Sequence, residues 1–327
     1  MYICIVHHAG ESLVPHHYTA SPETFLKVLA PSREDRVVAV ACRFTWYWLA
    51  DLCQREGMAC VLGHALSMQA IHGGTAKNDR MDAQKIAGLR RGGMLPQASG
   101  SPAAMRATRD LLRRRMHCMR NRAALLTHVQ HTKSQDTLPE MGQKIADKAH
   151  RAGVAERCAE PAGQQRIAGD LALLGHDDAL LRDSERSVLK AAKQHDAHAL
   201  SLLRTVPGIG ELLSLGLLYE RHAIQRFPRV QDLVSSCRLG KGAQASAGTR
   251  SGTSGAKIGH AYLQWACSEA AVLCLRAKPA GHKYLSRLEN KHGTGTALTV
   301  LAHTVARAVY DMLKRHTACD MHPLLHG

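Results

Sequence analysis

Apolar residues in the first hundred positions fall into short runs that polar turns separate. Residues 2–6 and 36–42 are almost continuous apolar stretches, residues 60–62 form a third, and residues 13–19 are a weaker fourth. Short runs of this kind are typical of strands buried in a sheet. Together with the helices between them, they predict an α/β layer domain over residues 1–98. The predicted helices cover residues 22–29, 44–56 and 64–71.

The middle of the chain, residues 99–199, has a helical period. Between residues 102 and 131, apolar side chains recur at alternating spacings of four and three, the seam pattern of a coiled coil. A second helix, over residues 167–193, carries apolar residues at heptad spacing. The sequence leaves open whether the two helices pair within one chain or between subunits. The seam residues are Leu112, Met116, Met119, Ala123 and Leu126 in the first helix and Leu174, Leu181 and Val188 in the second.

The last part, residues 200–327, is predicted to be mainly helical. Helices around residues 212–219, 261–275 and 297–313 are apolar enough to bury a common core. The segment from Gly240 to Gly259 interrupts them, because it is rich in Gly, Ser, Thr and Lys and has almost no apolar side chain. A long segment of that composition is typically functional or disordered. We therefore predict a loop at the edge of this core.

Composition and charge narrow the possible functions. Hydrophobic residues make up 45% of the chain and aromatic residues only 4%, which favours helical cores of Leu, Ala, Val, Ile and Met. Lys and Arg number 43 against 27 Asp and Glu, a formal net charge of +16. An excess of this size favours a polyanionic partner, because each neutralised phosphate releases counterions. A soluble protein that is merely basic is the alternative.

The cysteines predict a reducing environment. There are 10 of them, without a C-x-x-C pair and without zinc-ribbon spacing. Such cysteines are typical of reduced thiols in a cytoplasmic protein. Since no run of about 18 apolar residues occurs, no membrane span is expected. We therefore expect a cytoplasmic protein.

The first long helix has a strongly one-sided charge. Seven arginines stand against one acid, Asp110, between residues 106 and 122. An ordinary solvated face is one interpretation of a charge run, but this imbalance favours a face that contacts phosphates. The predicted nucleic-acid contacts are Arg106, Arg109, Arg113, Arg114 and Arg120, with Arg115 and Arg122 nearby.

A second candidate for phosphate contact is the turn Pro207-Gly208-Ile209-Gly210 between two predicted helices. This is the helix-hairpin-helix pattern, in which Gly208 and Gly210 would bring backbone N–H groups close to a phosphate at the next helix start. Used in this way, the turn binds DNA without recognising its sequence. An ordinary turn between helices, with Pro207 starting the second one, is the alternative.

Two acids mark a candidate metal site. Asp79 and Asp82 are three residues apart at a predicted helix start, so both carboxylates point from one face of the first turn. Oxygen ligands in that arrangement can hold Mg²⁺. Acids in a first turn also cap a helix and complement its dipole, which is the competing explanation.

Four motifs together resemble a known family. They are residues 44–51 (FTWYWLAD), 77–83 (KNDRMDA) and 205–210 (TVPGIG), and Ser246-Ala247-Gly248 followed by residues 255–259 (GAKIG). In these motifs, and over essentially its whole length, the chain resembles the DEDD-type insertion-sequence transposases, also called bridge recombinases. The resemblance implies an N-terminal RNase-H-fold, RuvC-like domain, a coiled-coil linker and a C-terminal domain with a catalytic serine over residues 200–327.

The resemblance also implies a mechanism. In the family, an Asp-Glu-Asp-Asp tetrad binds Mg²⁺ at the DNA phosphate, and the serine attacks that phosphate to form a covalent phosphoserine link. A non-coding RNA from the element guides the protein to its DNA sites. The assembly is a homo-oligomer, either a dimer or the tetramer that acts on two DNA sites.

Matched position by position, Asp79 and Asp82 correspond to the last two acids and Ser246 to the nucleophile. Lys257 lies in the matched motif and is a predicted nucleic-acid contact. If the register in this segment is shifted, Ser251 or Ser254 takes the role of Ser246. A serine hydroxyl must in any case be activated by a metal ion or a base.

The sequence departs from the family pattern at the other acids. Ala41 stands where the second acid is expected, and the strand for the first would precede Met1. Ala245 stands where the family often has Glu before the nucleophile. These departures predict a truncated or impaired copy. Two other interpretations remain open: a non-catalytic nucleic-acid-binding protein, and a RuvC-like nuclease without the serine step.

Overall fold

The computed structural model separates into two units, residues 1–103 and residues 104–327. The three-part division predicted from the sequence, 1–98, 99–199 and 200–327, stays a prediction. The structure describes residues 1–7, 16–32, 36–42, 45–71, 78–135, 145–240, 242–246, 249–254, 259–277 and 279–318.

The first unit follows the predicted order of strands and helices. Strand β1 pairs antiparallel with β2, and β3 pairs parallel with β4. The predicted α/β character of this part is confirmed. The elements are β1 (Tyr2–Ile3), β2 (His16–His17), α1 (Pro22–Leu29), β3 (Val37–Ala41), α2 (Tyr47–Arg55), β4 (Ala59–Gly63), α3 (Ala65–Ile71) and α4 (Asp79–Arg91).

A small apolar core holds the first unit together. Ser21 caps α1 by accepting a hydrogen bond from the backbone N–H of Thr24, and the helix then buries Phe25 and Leu29. Phe25 meets Trp48 of α2 edge to face, with 6.4 Å between the ring centres. Burying a side chain such as Phe25 contributes about 2–3 kcal/mol to folding.

The strands of the first unit differ from the prediction in how they are paired. The described strands form two separate two-stranded sheets. β3, predicted as a buried central strand, is only partly buried, and Val37 at its start is exposed. Along the other edge of β4, the backbone N–H groups of His64 and Ala98 bond to the carbonyls of Pro96 and Leu62, each at 2.7 Å. The chain that leaves α4 therefore covers the free edge of β4.

The second unit begins with two long helices, α5 (Ala103–Gln135) and α6 (Pro161–His195). They lie antiparallel, because ion pairs connect residues early in α5 with residues late in α6 and the reverse. The pairing that the sequence left open is thus made within the chain. The ion pairs between α5 and α6 are Arg115–Glu185, Arg122–Asp178 and His128–Asp170.

The predicted seam is confirmed in α6 but not in all of α5. In α6, Leu174, Leu181 and Val188 are all buried. In α5, Met119 is 40% exposed and Cys118 and Val129 are buried instead. The α5 face toward α6 is set by arginines that pair with acids of α6, so apolar spacing alone gave the wrong face for Met119.

The remaining helices pack around one apolar core. Its fully buried members include Leu215 of α8, Leu263 of α10 and Leu301 of α12, so the predicted common core of these helices is confirmed. α12 packs against α7, α9, α10 and α11. The helices are α7 (Ala197–Leu203), α8 (Glu211–Arg221), α9 (Val230–Ser236), α10 (Ala261–Ala277), α11 (Pro279–His292) and α12 (Thr294–Arg315).

The polar segment between α9 and α10 is a β-hairpin, although the sequence predicted a loop. β5 (Gly242–Ser246) pairs antiparallel with β6 (Thr249–Ser254). Pairing is irregular between Gln244 and Ala245, which marks a bulge. The prediction was wrong because a hairpin is held by backbone hydrogen bonds, which do not depend on the apolar side chains this segment lacks.

Candidate active site

The paired acids lie at the start of α4. Asn78 caps this helix by accepting a hydrogen bond from the backbone N–H of Arg80 at 2.9 Å. Asp79 is exposed in the first turn, and Asp82 is partly buried one turn further on. Because Asn78 takes the capping role, capping does not explain the two acids, whereas the helix dipole favours acids in this turn.

The acids fit a magnesium ion better than a metal that needs a complete protein cage. No group of three or more His, Cys, Asp or Glu side chains suited to a metal occurs among the described residues. Mg²⁺ usually keeps several water molecules and takes one or two carboxylates. Asp79 and Asp82 can supply that number of carboxylates.

Position 41 lies at the end of the sheet where a further acid is expected. Ala41 is the last residue of β3 and pairs with Gly63, the last residue of β4. The carboxyl ends of parallel strands form one edge, which is where sites of α/β units are built. α4 contacts β3 in the same unit. The departure from the family pattern therefore falls at an edge suited to a site.

Ser246 is the last residue of β5, and its Cα pairs with that of Thr249. It therefore occupies the tip of the hairpin, beside the bulge at Ala245. Ser251 lies within β6, and Ser254 pairs with Gly242 at the opposite, open end. Lys257 lies outside the described residues.

The chain is bonded to α9 on either side of the hairpin, at Leu239 before β5 and at His260 after β6. Before the hairpin, the N–H of Leu239 bonds to the carbonyl of Val234 at 3.1 Å. After it, the N–H of His260 bonds to the carbonyl of Ser236 at 2.7 Å. Gly259 has φ +105°, and a side chain there would place its Cβ 2.8 Å from the same carbonyl oxygen. Only glycine allows this close approach without strain.

A buried carboxylate, Glu220, lies against His260, the residue that precedes α10. Sequence reasoning missed it. Arg113 donates from Nε and Nη2 to its two oxygens, each at 2.8 Å. His260 Nε2 lies 3.2 Å from Oε2. Arg113 also stacks over the ring of Tyr262, 4.7 Å from its centre. The available signal was an acid at the end of the leucine-rich segment 212–219, since a buried charge requires a partner.

Charges in this cluster shift the pKa values of its members. A hydrogen bond from Arg113 to Glu220 raises the pKa of Arg113. Burial lowers the pKa of His260; Glu220 opposes this shift and nearby arginine charges add to it. His260 is therefore a neutral imidazole near pH 7, and the nitrogen that faces the carboxylate, Nε2, carries its single proton.

The predicted arginine face of α5 is divided between the interior and the surface. Arg106 and Arg109 are buried. Arg113 is held by Glu220, while Arg114 and Arg120 are exposed. The exposed pair is where a phosphate can approach from solvent. Arg115 and Arg122, also noted in the sequence, pair with acids of α6.

The turn Pro207–Gly210 joins α7 to α8, as predicted. Gly208 has φ +87° and lies against the backbone of α10, where an added Cβ would be 2.7 Å from the carbonyl oxygen of Ala270. Helix packing thus accounts for Gly208. Gly210 precedes α8 and is exposed, with open space around its Cα. It remains the position where a phosphate would approach the α8 start, although Glu211 adds a negative charge there.

A cavity of about 600 Å³ adjoins Leu239, which precedes the hairpin. Leu239 forms part of its wall, together with His292, Thr296 and His303 near the start of α12. Burial and the charge of Arg307 lower the pKa of His303. The volume falls within the usual range for sites that bind small molecules.

Known families match both units. The DEDD transposase model of the IS110 group matches residues 1–133. A second model, described as the transposase of the IS116/IS110/IS902 family, matches residues 200–286. The chain is therefore a transposase, a protein of DNA transposition and DNA recombination that binds DNA.

It belongs to the IS110 family of insertion-sequence transposases. The family resemblance inferred from the motifs is thus confirmed. No curated protein matches the chain. Within the described residues, no helix is both long and apolar enough to cross a membrane.

Proposed function

We propose that this transposase cuts and rejoins DNA through a phosphoserine intermediate formed at Ser246. The observation that carries the proposal is the position of Ser246 at the tip of a hairpin whose flanking residues, Leu239 and His260, are bonded to α9. A nucleophile must reach a phosphate from a fixed base, and catalytic groups on loops need a rigid support. The family match to residues 200–286 includes this hairpin.

The reaction is an exchange of phosphate esters. The Ser246 hydroxyl loses its proton to a base and attacks the phosphorus; the P–O bond to serine forms as one DNA P–O bond breaks. The leaving DNA oxygen takes up a proton. A hydroxyl of the second DNA strand then loses its proton and attacks the phosphoserine; its P–O bond forms as the P–O bond to Ser246 breaks, and the Ser246 oxygen takes up a proton. No external energy source is needed, because each broken ester is replaced by another.

Asp79 and Asp82 are the proposed ligands of Mg²⁺ for this reaction. When bound, the ion supplies positive charge that stabilises the phosphate oxygens. The carboxylates hold it from the first turn of α4, where Asn78 already caps the helix. We also propose that Ala41 impairs activity, because a third carboxylate at that strand end would bind the ion more tightly.

DNA contacts are proposed for Arg114 and Arg120, for the α8 start at Pro207–Gly210, and for Lys257. The net charge of +16 also suits an element-encoded guide RNA, which the resemblance implies. In the proposed assembly, a dimer or tetramer of the chain acts on two DNA sites.

A denaturing gel tests the role of Ser246. Labelled DNA that carries the element's ends is incubated with the protein, the guide RNA and Mg²⁺, and covalent adducts are separated from free DNA. We expect an adduct with the natural chain and none with Ser246→Ala. Ser251→Ala and Ser254→Ala are matched controls in the same hairpin that should keep the adduct. An adduct that persists in Ser246→Ala would overturn the assignment.

A second candidate function is nucleic-acid binding without catalysis. Ala41 at the strand end favours it, since the expected acid is absent, and so do the exposed Arg114 and Arg120. In that case, DNA is bound but no adduct forms at any Mg²⁺ concentration. If the protein is instead a RuvC-like nuclease without the serine step, the Ser246→Ala variant will still cut DNA.

A further inference from the structure

We propose that Glu220 is a positioning residue for the hairpin: with Arg113 and His260, it fixes the direction in which the hairpin leaves the helical core. This inference rests on the proposed role of Ser246. It concerns residues that do not touch the DNA phosphate and act only through the hairpin.

The two oxygens of Glu220 join three elements. The carboxylate belongs to α8, the guanidinium of Arg113 to α5, and His260 to the segment between β6 and α10. The Glu220 side chain is only 5% exposed, so its charge requires these partners. Arg113 binds both oxygens at 2.8 Å, and such bidentate pairing fixes the plane of the carboxylate.

His260 is held at two points. Its backbone N–H bonds to Ser236 at the end of α9, and its ring bonds to Glu220. His260, which follows the hairpin and precedes α10, is therefore fixed in position by one bond and in rotation by the other. The other ring nitrogen, Nδ1, is buried and has no hydrogen-bond partner in the described part of the chain, so the hydrogen bond that orients the ring is the one to Glu220.

Stability does not explain this arrangement well. The apolar core of the second unit already buries many aliphatic side chains of α8, α10 and α12. A buried ion pair contributes little net stability compared with apolar residues of the same size, whereas its directional bonds favour one geometry. A hairpin that carries a reactive serine needs a defined geometry, because a displacement of about 1 Å costs on the order of 100-fold in rate.

The test uses the full chain and variants of His260. His260→Ala removes the ring, whereas His260→Gln keeps an N–H donor near the position of Nε2. Glu220→Gln removes the charge but keeps the shape. We expect His260→Ala and Glu220→Gln to lower the single-turnover rate of adduct formation about 10-fold or more, with DNA affinity unchanged. His260→Gln should recover most of the rate.

Hydrogen exchange provides a second readout that does not depend on activity. Faster exchange of the amides of residues 242–254 in His260→Ala, with α10 and α12 unchanged, is the expected result. Glu185→Gln is the matched control, because it weakens another ion pair of α5 that has no contact with the hairpin. It should leave both the adduct rate and the exchange of the hairpin unchanged.

Two outcomes would overturn the proposal. One is an unchanged rate and unchanged hairpin exchange in His260→Ala. The other is an equal loss in His260→Ala and His260→Gln with faster exchange throughout the second unit, which means a structural role only. An adduct that survives Ser246→Ala would remove the proposed nucleophile instead, while the exchange result would still decide whether Glu220 orients the hairpin.

Discussion

Arg122 and Asp178 lie 56 residues apart in the chain, yet their side chains form an ion pair with 2.7 Å between Nε and Oδ1. Arg151 bonds to the other oxygen of the same carboxylate, also at 2.7 Å. Asp178 thus connects α5, α6 and the segment between them. Arg151 is 8% exposed, so loss of the acid would leave a buried guanidinium without this partner.

We expect Asp178→Asn to lower the free energy of unfolding by about 3 kcal/mol, because breaking a buried pair leaves an uncompensated charge. Urea unfolding followed by circular dichroism measures it. The control is Asp183→Asn on the same helix, where the pair with Arg186 is exposed and worth less than about 1 kcal/mol. Equal effects of the two variants would contradict the structural role of Asp178.

The same carboxylate makes stability depend on pH. Burial tends to raise the pKa of Asp178, but hydrogen bonds from Arg122 and Arg151 and their charges bring it below its ordinary value of 3.8. The stabilisation is therefore complete above the ordinary pKa and is lost as the pH falls through the lowered one. The difference in unfolding free energy between the natural chain and Asp178→Asn should be constant near neutral pH and shrink below about pH 4. A difference that grows as the pH falls would contradict a lowered pKa of Asp178 in the folded protein.

Arginines of α5 should separate into binding and stability roles. Arg114→Ala and Arg120→Ala are expected to weaken DNA binding, and each should reduce the slope of log affinity against log salt by about one. Arg115→Ala, on the same helix, should lower stability instead, because Arg115 pairs with Glu185 at 2.6 Å. Fluorescence anisotropy at several salt concentrations measures the slopes. A flat salt response of the natural chain would exclude phosphate contacts at this face.

The two glycines of the α7–α8 turn should behave differently. Gly208→Ala places a methyl group against the α10 backbone at positive φ, so we expect a loss of about 2–4 kcal/mol in stability. Gly210→Ala meets open space and should change stability by less than about 1 kcal/mol. If the α8 start binds a phosphate, Gly210→Ala will still weaken DNA binding. Unchanged DNA affinity in Gly210→Ala would favour an ordinary turn between helices.

Replacing Ala41 tests the acidic site. We expect Ala41→Glu to increase the affinity for Mg²⁺ or Mn²⁺, because a third carboxylate joins the edge at the end of β3. Val37→Glu is the control at the exposed start of the same strand and should leave metal affinity unchanged. Isothermal titration with Mn²⁺ measures both. Equal affinities of Ala41→Glu and the natural chain would count against a metal site at this edge.

The sequence predicted elements well where local signals decide them. Ser21 before Pro22 located α1, and the heptad positions Leu174 and Leu181 are buried in α6 as expected. These signals depend on residues within one or two turns. The family was likewise available from short motifs, and the α/β character of the first part from short apolar runs.

Features decided by distant partners could not be predicted. Met119 fits a seam by spacing, but Arg115 and Arg122 turn another face of α5 toward acids that are 70 and 56 residues away, respectively. Glu220 was missed because Arg113 lies 107 residues earlier in the chain. A single sequence shows the charge of such residues but not which opposite charge each one meets.

The hairpin that carries Ser246 has a consequence for the reach of the protein. Since the flanking residues Leu239 and His260 are bonded to α9, strands β5 and β6 can change in length without moving the helical core. Adding two residues to each strand would extend the tip by about 7 Å and keep Ser246 on the same face. Adding one residue to each strand would also turn Ser246 to the opposite face. The number of residues between Leu239 and Ser246 thus acts as a ruler, which sets how far from the core the protein can touch its substrate.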